Sequence, residues 1–222
     1  YGVMVVKVNL ISHTQDITGR NLLEQVAYVA RVSNPSNQNN DETAEKLVNY
    51  LIKHNHWSPL EMVDATLEIE TTRDIARQIL RHRSFVFQEF SQRYADPTKD
   101  LGFVTREARL QDPKNRQNSI EVDNSWILTQ EWENTQRRVL NYARNAYEWA
   151  IDNGIAKEQA RAVLPEGITV SRMYMKGSIR SWIHYIQIRS GIETQKEHRE
   201  VALACADALE PIFPMIKEFI NG

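Results

Sequence analysis

The sequence contains a single cysteine, Cys205, so no disulfide can form within the chain. That scarcity is typical of a protein from a reducing compartment. No apolar run approaches the roughly 18 residues that a membrane-spanning helix needs, and no signal peptide is visible. We therefore expect a cytoplasmic protein without a membrane anchor. Because the sequence starts Tyr1-Gly2-Val3-Met4, Met4 is the expected natural start.

The sequence also lacks an excess of either charge and any glycine-rich phosphate loop of the Walker or Rossmann type. The formal net charge of -2 argues against a general nucleic-acid-binding protein, which needs a broad basic field. An anionic ligand would have to be held by a few local cations. With 222 residues, of which 41% are hydrophobic, the chain is expected to form one domain over residues 1–222.

The residues from Arg81 to Arg93 combine cations, an imidazole, a carboxylate and a hydroxyl with three phenylalanines. Periodicity predicts a helix over Thr72–Arg83, with Gln78 and Arg81 on one face. An extended segment over Ser84–Arg93 would place Glu89, Ser91 and Arg93 on one side. The helix end would then lie beside these three side chains.

Two other interpretations of this basic stretch remain open. A run of cations is usually a solvated surface, although exposed faces rarely carry so much apolar area. The chain could also bind nucleic acid through Arg77, Arg81, Arg83 and Arg93, with phenylalanines stacking on bases. A third interpretation of the chain, a purely structural helical oligomer, would leave His56, Arg161 and Arg189 without a role.

Alternation and helical periodicity predict the remaining elements. The predicted strands are Val3–Ile11 and Glu61–Thr71; the predicted helices begin at Leu22, Glu42, Ser125, Glu158, Ser178 and Glu193; and residues 94–124 are predicted to be a long loop. On the longest helix, Ser125–Asn153, an apolar seam runs from Leu128 to Trp149 and would form either an internal core or a subunit interface. His54 and His56 lack a third ligand at metal-binding spacing, so no metal is predicted. Cys205 lies in an apolar row and is expected to be a buried residue.

The pattern Arg81-His82-Arg83, seven residues, then Ser91 closely resembles the signature of the flavin-dependent thymidylate synthases. Further segments resemble that family. They are Lys53-His54-x-His56-x-x-Pro59-x-Glu61, the Ala160-Arg161-x-x-Leu164-Pro165 element, and the helix that carries Arg180, Ser181, Trp182, His184 and Arg189. The resemblance spans roughly residues 20–199. It implies an α/β (α+β) fold with a twisted, mostly antiparallel sheet flanked by helices, assembled as a homotetramer with active sites shared between subunits.

The resemblance also implies the reaction, which is the reductive methylation of dUMP to dTMP. Methylenetetrahydrofolate would donate the carbon, and FAD reduced by NADPH would supply the electrons. The implied dUMP-binding residues are Gln78, Arg81, Glu89, Ser91, Arg93, Arg161 and Arg189. The implied FAD-binding residues are Ser33, Ser58, Glu61, Arg81, His82, Arg83, Glu89, Ser178, Arg180 and His184.

Three residues are expected to act closest to the chemistry. Arg189 would lie against the uracil ring, Ser91 would hold the substrate, and His56 would lie on the folate side. Cys205 is expected to be neither exposed nor activated, so the reaction must proceed without an enzyme thiolate. Such a protein belongs in the cytoplasm of a prokaryotic cell or of a virus-infected host cell.

Overall fold

The structure is a computed structural model that describes residues 2–4 and 6–222; Tyr1 and Val5, in the predicted start and first strand, lie outside the described residues. The strands are β1 (Lys7–His13), β2 (Asp64–Thr72), β3 (Val86–Glu89), β4 (Arg109–Gln111), β5 (Ser119–Glu121) and β6 (Val170–Ser178). The α-helices are α1 (Leu22–Ala30), α2 (Ala44–Lys53), α3 (Arg73–Ile79), α4 (Pro97–Asp100), α5 (Trp126–Asp152), α6 (Lys157–Ala160), α7 (Ile179–Arg189) and α8 (Lys196–Leu209). Short 3₁₀ helices span Pro35–Asn37, Asp41–Thr43, Ser58–Glu61, Arg161–Val163 and Pro214–Phe219.

Within the described residues, four strands form one antiparallel sheet in the order β1-β2-β6-β3. The central strands β2 and β6 pair along their whole length, from Asp64 opposite Ser178 to Thr72 opposite Val170. Strands β4 and β5 form a separate two-stranded hairpin. The expected mixed fold with a mostly antiparallel sheet flanked by helices is confirmed.

The two faces of the sheet differ because side chains alternate along each strand. On β2, Ala65, Leu67 and Ile69 are fully buried and face the main core. The opposite face is polar, and there Arg172 of β6 forms an ion pair with Glu70 of β2. Such a half-buried sheet agrees with the alternation that predicted β2.

The main core lies between the apolar sheet face and the helices. Its largest fully buried side chains include Trp182 and Tyr185 of α7, and the indole N–H of Trp182 donates to the Ala65 carbonyl of β2 over 3.1 Å. Helix α8 contributes Val201 and Cys205 to the same core, so the predicted burial of Cys205 is confirmed. A second, smaller core joins α5 to the segments around Phe103 and Leu164.

The apolar seam predicted on α5 faces outward in the single chain. The helix instead buries another face, which carries Gln136, Leu140, Ala143, Tyr147 and Ala150. Exposed apolar side chains on α5 include Trp126, Ile127, Leu128, Trp132, Val139, Tyr142 and Trp149. The internal-core interpretation of the seam is therefore wrong within one chain.

Several predicted boundaries also differ from the structure. The first strand runs over Lys7–His13 rather than Val3–Ile11, and β2 begins at Asp64 because Ser58–Glu61 forms a 3₁₀ turn. Helix α3 ends at Ile79, and extended structure after it is limited to Val86–Glu89. The long loop predicted for residues 94–124 contains α4 and the β4–β5 hairpin, whose strands are too short to produce a clear pattern. Central strand β6 was not predicted at all. No helix among the described residues is long and apolar enough to cross a membrane.

Candidate active site

The turn that carries Arg81, His82 and Arg83 is fixed by a phenylalanine on the sheet. Phe85 is buried, and its ring meets Trp182 of α7 edge-on at a centroid distance of 4.7 Å. A side chain at Gly177 of β6 would clash with this ring, because a Cβ atom there would lie 2.4 Å from it. The glycine therefore allows the turn to pack directly on the central strand.

Helix α7 brings Arg189 to this turn. Its Nε donates a hydrogen bond to Nε2 of His82 over 2.9 Å. Burial and then the Arg189 charge lower the pKa of His82 to about 4. His82 is thus a neutral acceptor near pH 7, and it orients the Arg189 guanidinium.

Gln78 lies in a hydrogen-bonded chain that reaches into the core. Its Oε1 lies 3.1 Å from Nδ1 of His198, and Nε2 of His198 lies 2.9 Å from the Tyr185 hydroxyl. Because an amide oxygen only accepts, His198 donates through Nδ1, and its Nε2 accepts from Tyr185. The Nε2 of Gln78 donates to Gln195 over 3.0 Å. Burial, followed by the charges of Arg189 and His82, lowers the pKa of His198 to about 3.

The chain of polar contacts continues to the β4–β5 hairpin. Gln195 lies 3.4 Å from Glu197, and both carboxylate oxygens of Glu197 accept from Arg109 over 2.7 Å. Gln195, Glu197 and Arg109 line a cavity of about 380 Å³ that also includes Trp132. Because Gln195 holds the nitrogen of the Gln78 amide and His198 holds its oxygen, the amide is oriented from both ends.

A second group of predicted site residues gathers at the other end of β3. Ser171 of β6 donates to Glu89 over 2.7 Å. Arg93 pairs with Glu158 at 3.3 Å, and Nε of Arg161 donates to the backbone oxygen of Glu158 over 3.3 Å. The hydroxyl of Ser91 accepts from the backbone N–H of Arg93 over 3.3 Å.

A third group surrounds the start of α7. Arg180 forms an ion pair with Glu61 at 3.1 Å, and His184 meets Trp57 edge-on at 4.7 Å. Burial and the Arg180 charge lower the pKa of His184. Ser178 caps α7 by accepting from the backbone N–H of Ser181 over 3.1 Å. This third group provides a cation and aromatic surface for a planar anionic ligand.

Other predicted residues remain on the surface. Arg81, Arg83, Ser33, Ser58 and His56 are exposed. Among the described residues, neither Arg81 nor Arg83 forms an ion pair, and no hydrogen bond or ion pair joins Gln78 to Glu89. Helix α3 ends before Arg81 and β3 ends before Ser91, and the expectation that a helix end delivers Gln78 and Arg81 beside Glu89 and Ser91 stays a prediction.

Sequence reasoning missed the residues that hold the predicted ones in place. His198, Tyr185, Gln195 and Ser171 each contact a predicted site residue. A period-two pattern from Ser171 to Gly177 could have indicated β6 and the inward direction of Ser171. No comparable local signal links Gln78 to His198, which is far away in the sequence.

The single thiol, that of Cys205, lies in the main core. Cys205 is fully buried, and burial raises its pKa well above the usual range. A thiol in this state is neither accessible nor ionised, so it is no nucleophile. Among the described residues, no group of three metal-ligating side chains is present.

Comparison with known proteins gives a consistent assignment. A family model described as "thymidylate synthase complementing protein" matches residues 9–215. A flavin-dependent thymidylate synthase from Synechocystis sp. is 52% identical over 193 residues, covering 86% of each chain. A probable flavin-dependent thymidylate synthase from Paramecium bursaria Chlorella virus 1 is 45% identical over 218 residues, covering 96% of this chain and 97% of its own.

A solved structure supports the fold. The UMP/dUMP methylase PolB from Streptomyces cacaoi, bound with 5-Br dUMP, superposes with a TM-score of 0.82 at 25% identity, covering 98% of this chain and 95% of its own. The structure described above is thus that of an α/β protein, and its fold is similar to that of a nucleotide methylase. The chain belongs to the thymidylate synthase complementing family, the flavin-dependent thymidylate synthases. The resemblance noted from the Arg81–Ser91 signature is thereby confirmed.

Proposed function

We propose that this protein methylates dUMP to dTMP, with methylenetetrahydrofolate as the carbon donor and with FAD reduced by NADPH. The observation that carries the proposal is the burial of Cys205, because it removes the thiolate route to an activated uracil. The names of the similar proteins support both the flavin and the nucleotide.

The uracil ring would lie against Arg189. A guanidinium held by His82 cannot turn away, so its charge is already directed before negative charge develops on the ring. The amide of Gln78 is likewise fixed, since both of its ends are hydrogen-bonded within the chain. These contacts support a preorganised site for the base.

The rest of the nucleotide would be bound by Arg81, Glu89, Ser91, Arg93 and Arg161. The two groups of candidate residues, around Gln78 and around Glu89, are not joined by a hydrogen bond or ion pair among the described residues, which supports a site completed between subunits of a homotetramer. The exposed apolar face of α5 supports the same assembly, because so much exposed apolar area is typical of an interface. In this proposal Ser91 holds the substrate and is not attacked.

The flavin would be held by the group around α7, together with the unpaired Arg81 and Arg83. The candidate residues fit an anionic dinucleotide, since Arg180 offers a charge while Trp57 and His184 offer aromatic surfaces. The remaining candidates are Ser33, Ser58, Glu61, His82, Glu89 and Ser178. When bound, the flavin supplies the hydride that completes the methyl group. The exposed His56 would lie on the folate side.

The nucleic-acid alternative loses support from the ion pairs of its own arginines. Arg77 is paired with Glu166 at 2.9 Å and Arg93 with Glu158 at 3.3 Å, so two of its four phosphate-binding cations are already neutralised. We further propose that residues 1–222 form one domain and that the protein acts in the cytoplasm of a prokaryotic cell or of a virus-infected host cell.

One experiment tests the proposal directly. Purified protein is expected to be yellow, to release FAD on denaturation, and to form dTMP from dUMP, methylenetetrahydrofolate and NADPH. UMP should be assayed in parallel, because the similar PolB is described as a UMP/dUMP methylase. Colourless protein that FAD cannot reconstitute would contradict the proposal, as would a steep salt dependence of oligonucleotide binding without any dTMP formation.

A further inference from the structure

Arg73 carries a buried guanidinium nitrogen that has no hydrogen-bond partner among the described residues. It is the first residue of α3, and its backbone N–H donates to the carbonyl of Thr169 over 3.0 Å. Only 9% of the residue is exposed. Its Nη1 atom is buried and has no hydrogen-bond partner among the described residues, none of which forms an ion pair with the guanidinium.

This state is costly for the isolated chain. An arginine cannot lose its proton at ordinary pH, and leaving a buried charge uncompensated costs several kcal/mol. Burial lowers the pKa of Arg73, and the nearby carboxylate of Glu89 opposes that shift. Glu89 does not bind the guanidinium directly and instead accepts from Ser171 over 2.7 Å.

Arg73 adds an uncompensated positive charge to surroundings that are otherwise balanced. The groups that act on it most strongly after burial are Glu89, Arg77, Glu166 and Arg161. Three guanidinium groups therefore share two carboxylates, and Glu166 is already occupied by Arg77 at 2.9 Å. The cluster therefore keeps one uncompensated positive charge, which an anionic ligand such as a phosphate would neutralise.

We propose that Arg73 binds the phosphate of the nucleotide substrate. The inference rests on the proposed function, because dUMP is taken as the ligand. The unpaired Nη1 supplies a donor to a phosphate oxygen, and a planar guanidinium is well suited to that geometry. Glu89 and Arg161, which the resemblance assigns to dUMP, belong to the same charged cluster.

The test compares dUMP with deoxyuridine, which lacks the phosphate. Binding is measured by calorimetric titration of the FAD-loaded protein and of its Arg73→Met variant. We expect the variant to bind dUMP about 10- to 100-fold more weakly, the range for a hydrogen bond to a charged group, and to bind deoxyuridine as the unmodified protein does. Inorganic phosphate is a second probe, and it should raise the melting temperature of the unmodified protein only.

The melting temperature without ligand separates a binding role from a structural one. Because Arg73 is uncompensated, Arg73→Met should melt at the same or a higher temperature. Arg138→Met is the control, since Arg138 lies on α5 outside this charged cluster, with its side chain 63% exposed and paired with Glu131. Its dUMP affinity should change by no more than about twofold.

Two results would overturn the role of Arg73 alone. One is unchanged dUMP affinity in Arg73→Met, with or without a lower melting temperature. The other is an equal loss of affinity for dUMP and deoxyuridine. If the unmodified protein itself binds no dUMP, the proposed function fails and this inference fails with it.

Discussion

Nε of Arg189 donates to Nε2 of His82 across 2.9 Å, which joins the end of α7 to the signature turn. A cation that donates to an imidazole needs that imidazole to be neutral, and burial together with Arg189 lowers the pKa of His82 to about 4. The pair therefore keeps a single positive charge with a fixed direction near pH 7.

Removing Arg189 should impair the chemical step. We expect Arg189→Ala to lower kcat by about 10²-fold, because a preorganised cation is lost where charge develops in the transition state. Chromatographic measurement of dTMP formation checks this. Arg138→Ala is the control, since that side chain is 63% exposed on α5. Full activity in Arg189→Ala would show that this cation does not serve the reaction.

Replacing the only thiol should leave the reaction intact. Cys205→Ala is expected to keep dTMP formation close to that of the unmodified protein. Cys205→Ser should be less stable than Cys205→Ala by about 1–3 kcal/mol, because a hydroxyl would be buried in an apolar core. Activity assays and thermal melts of the two variants test both points. A folded but inactive Cys205→Ala variant would overturn the thiol-free mechanism.

The buried histidines should make the fold sensitive to acid. The unfolded chain protonates His198 at an ordinary pKa of about 6.5, whereas the folded chain does so only at about 3. The unfolded state therefore holds more protons between these values. The free energy of unfolding falls as the pH is lowered through this range, by up to about 1.4 kcal/mol per pH unit, with no contribution above it.

His82 adds a smaller loss of unfolding free energy as the pH falls from about 6.5 to its folded pKa of about 4. Melting temperatures at about pH 7 and pH 5 should therefore differ less in His198→Gln than in the unmodified protein. The exposed His54 provides the control substitution, His54→Gln. Equal pH sensitivity in all three proteins would contradict the prediction.

Arg180 should affect flavin binding more than stability. The side chains of Arg180 and Glu61, which form an ion pair, are 39% and 50% exposed. Such exposed pairs contribute at most about 1 kcal/mol to the free energy of unfolding. We expect Arg180→Gln to melt at nearly the same temperature without flavin but to retain less FAD after purification. The visible absorbance per protein measures the retained FAD. Lys176→Gln is the control, because Lys176 is also half exposed and pairs with Asp64.

The outer face of α5 should control assembly. Tyr142 is 78% exposed and Trp149 is 61% exposed in the single chain. A charged substitution such as Tyr142→Asp should reduce the oligomer, since a buried unpaired charge is costly at an interface. Light scattering after size-exclusion chromatography measures the mass, and Glu148→Gln on the same helix is the control. An unchanged mass in Tyr142→Asp would exclude this face as the interface.

The sequence predicted the parts of the fold that depend on local pattern. Alternation from Val63 to Ile69 predicted β2, and periodicity predicted the helix Ser125–Asn153, which α5 matches closely. In the structure the Ser125 side chain caps α5, and Gly154 after its end has a positive φ of 78°. β3 was predicted too long, because the alternation of Ser84–Arg93 continues beyond the four residues that pair with β6. After Glu89, the Phe90 N–H still donates to the Arg172 carbonyl of β6 over 2.8 Å, and the chain then turns, with the Tyr94 N–H donating to the Ser91 carbonyl.

The site could be predicted only as a set of residues. The signature identified His82 and the predicted helix from Ser178 identified Arg189, but their 2.9 Å contact depends on how α7 packs against the sheet. The pairing of Gln78 with His198 likewise depends on the packing of α3 against α8. No sequence pattern marked Arg73 as a candidate, because the missing partner of its Nη1 is a property of the folded interior alone.

Gly177 gives the signature turn a sensitivity that its own residues do not reveal. A methyl group there would push into the Phe85 ring, which cannot retreat easily because Trp182 lies behind it at 4.7 Å. The displacement would pass along the turn to His82 and loosen its bond to Arg189. Gly177 would thus act as a spacer, because the absence of a side chain there leaves the room that the alignment of Arg189, the proposed catalytic cation, requires.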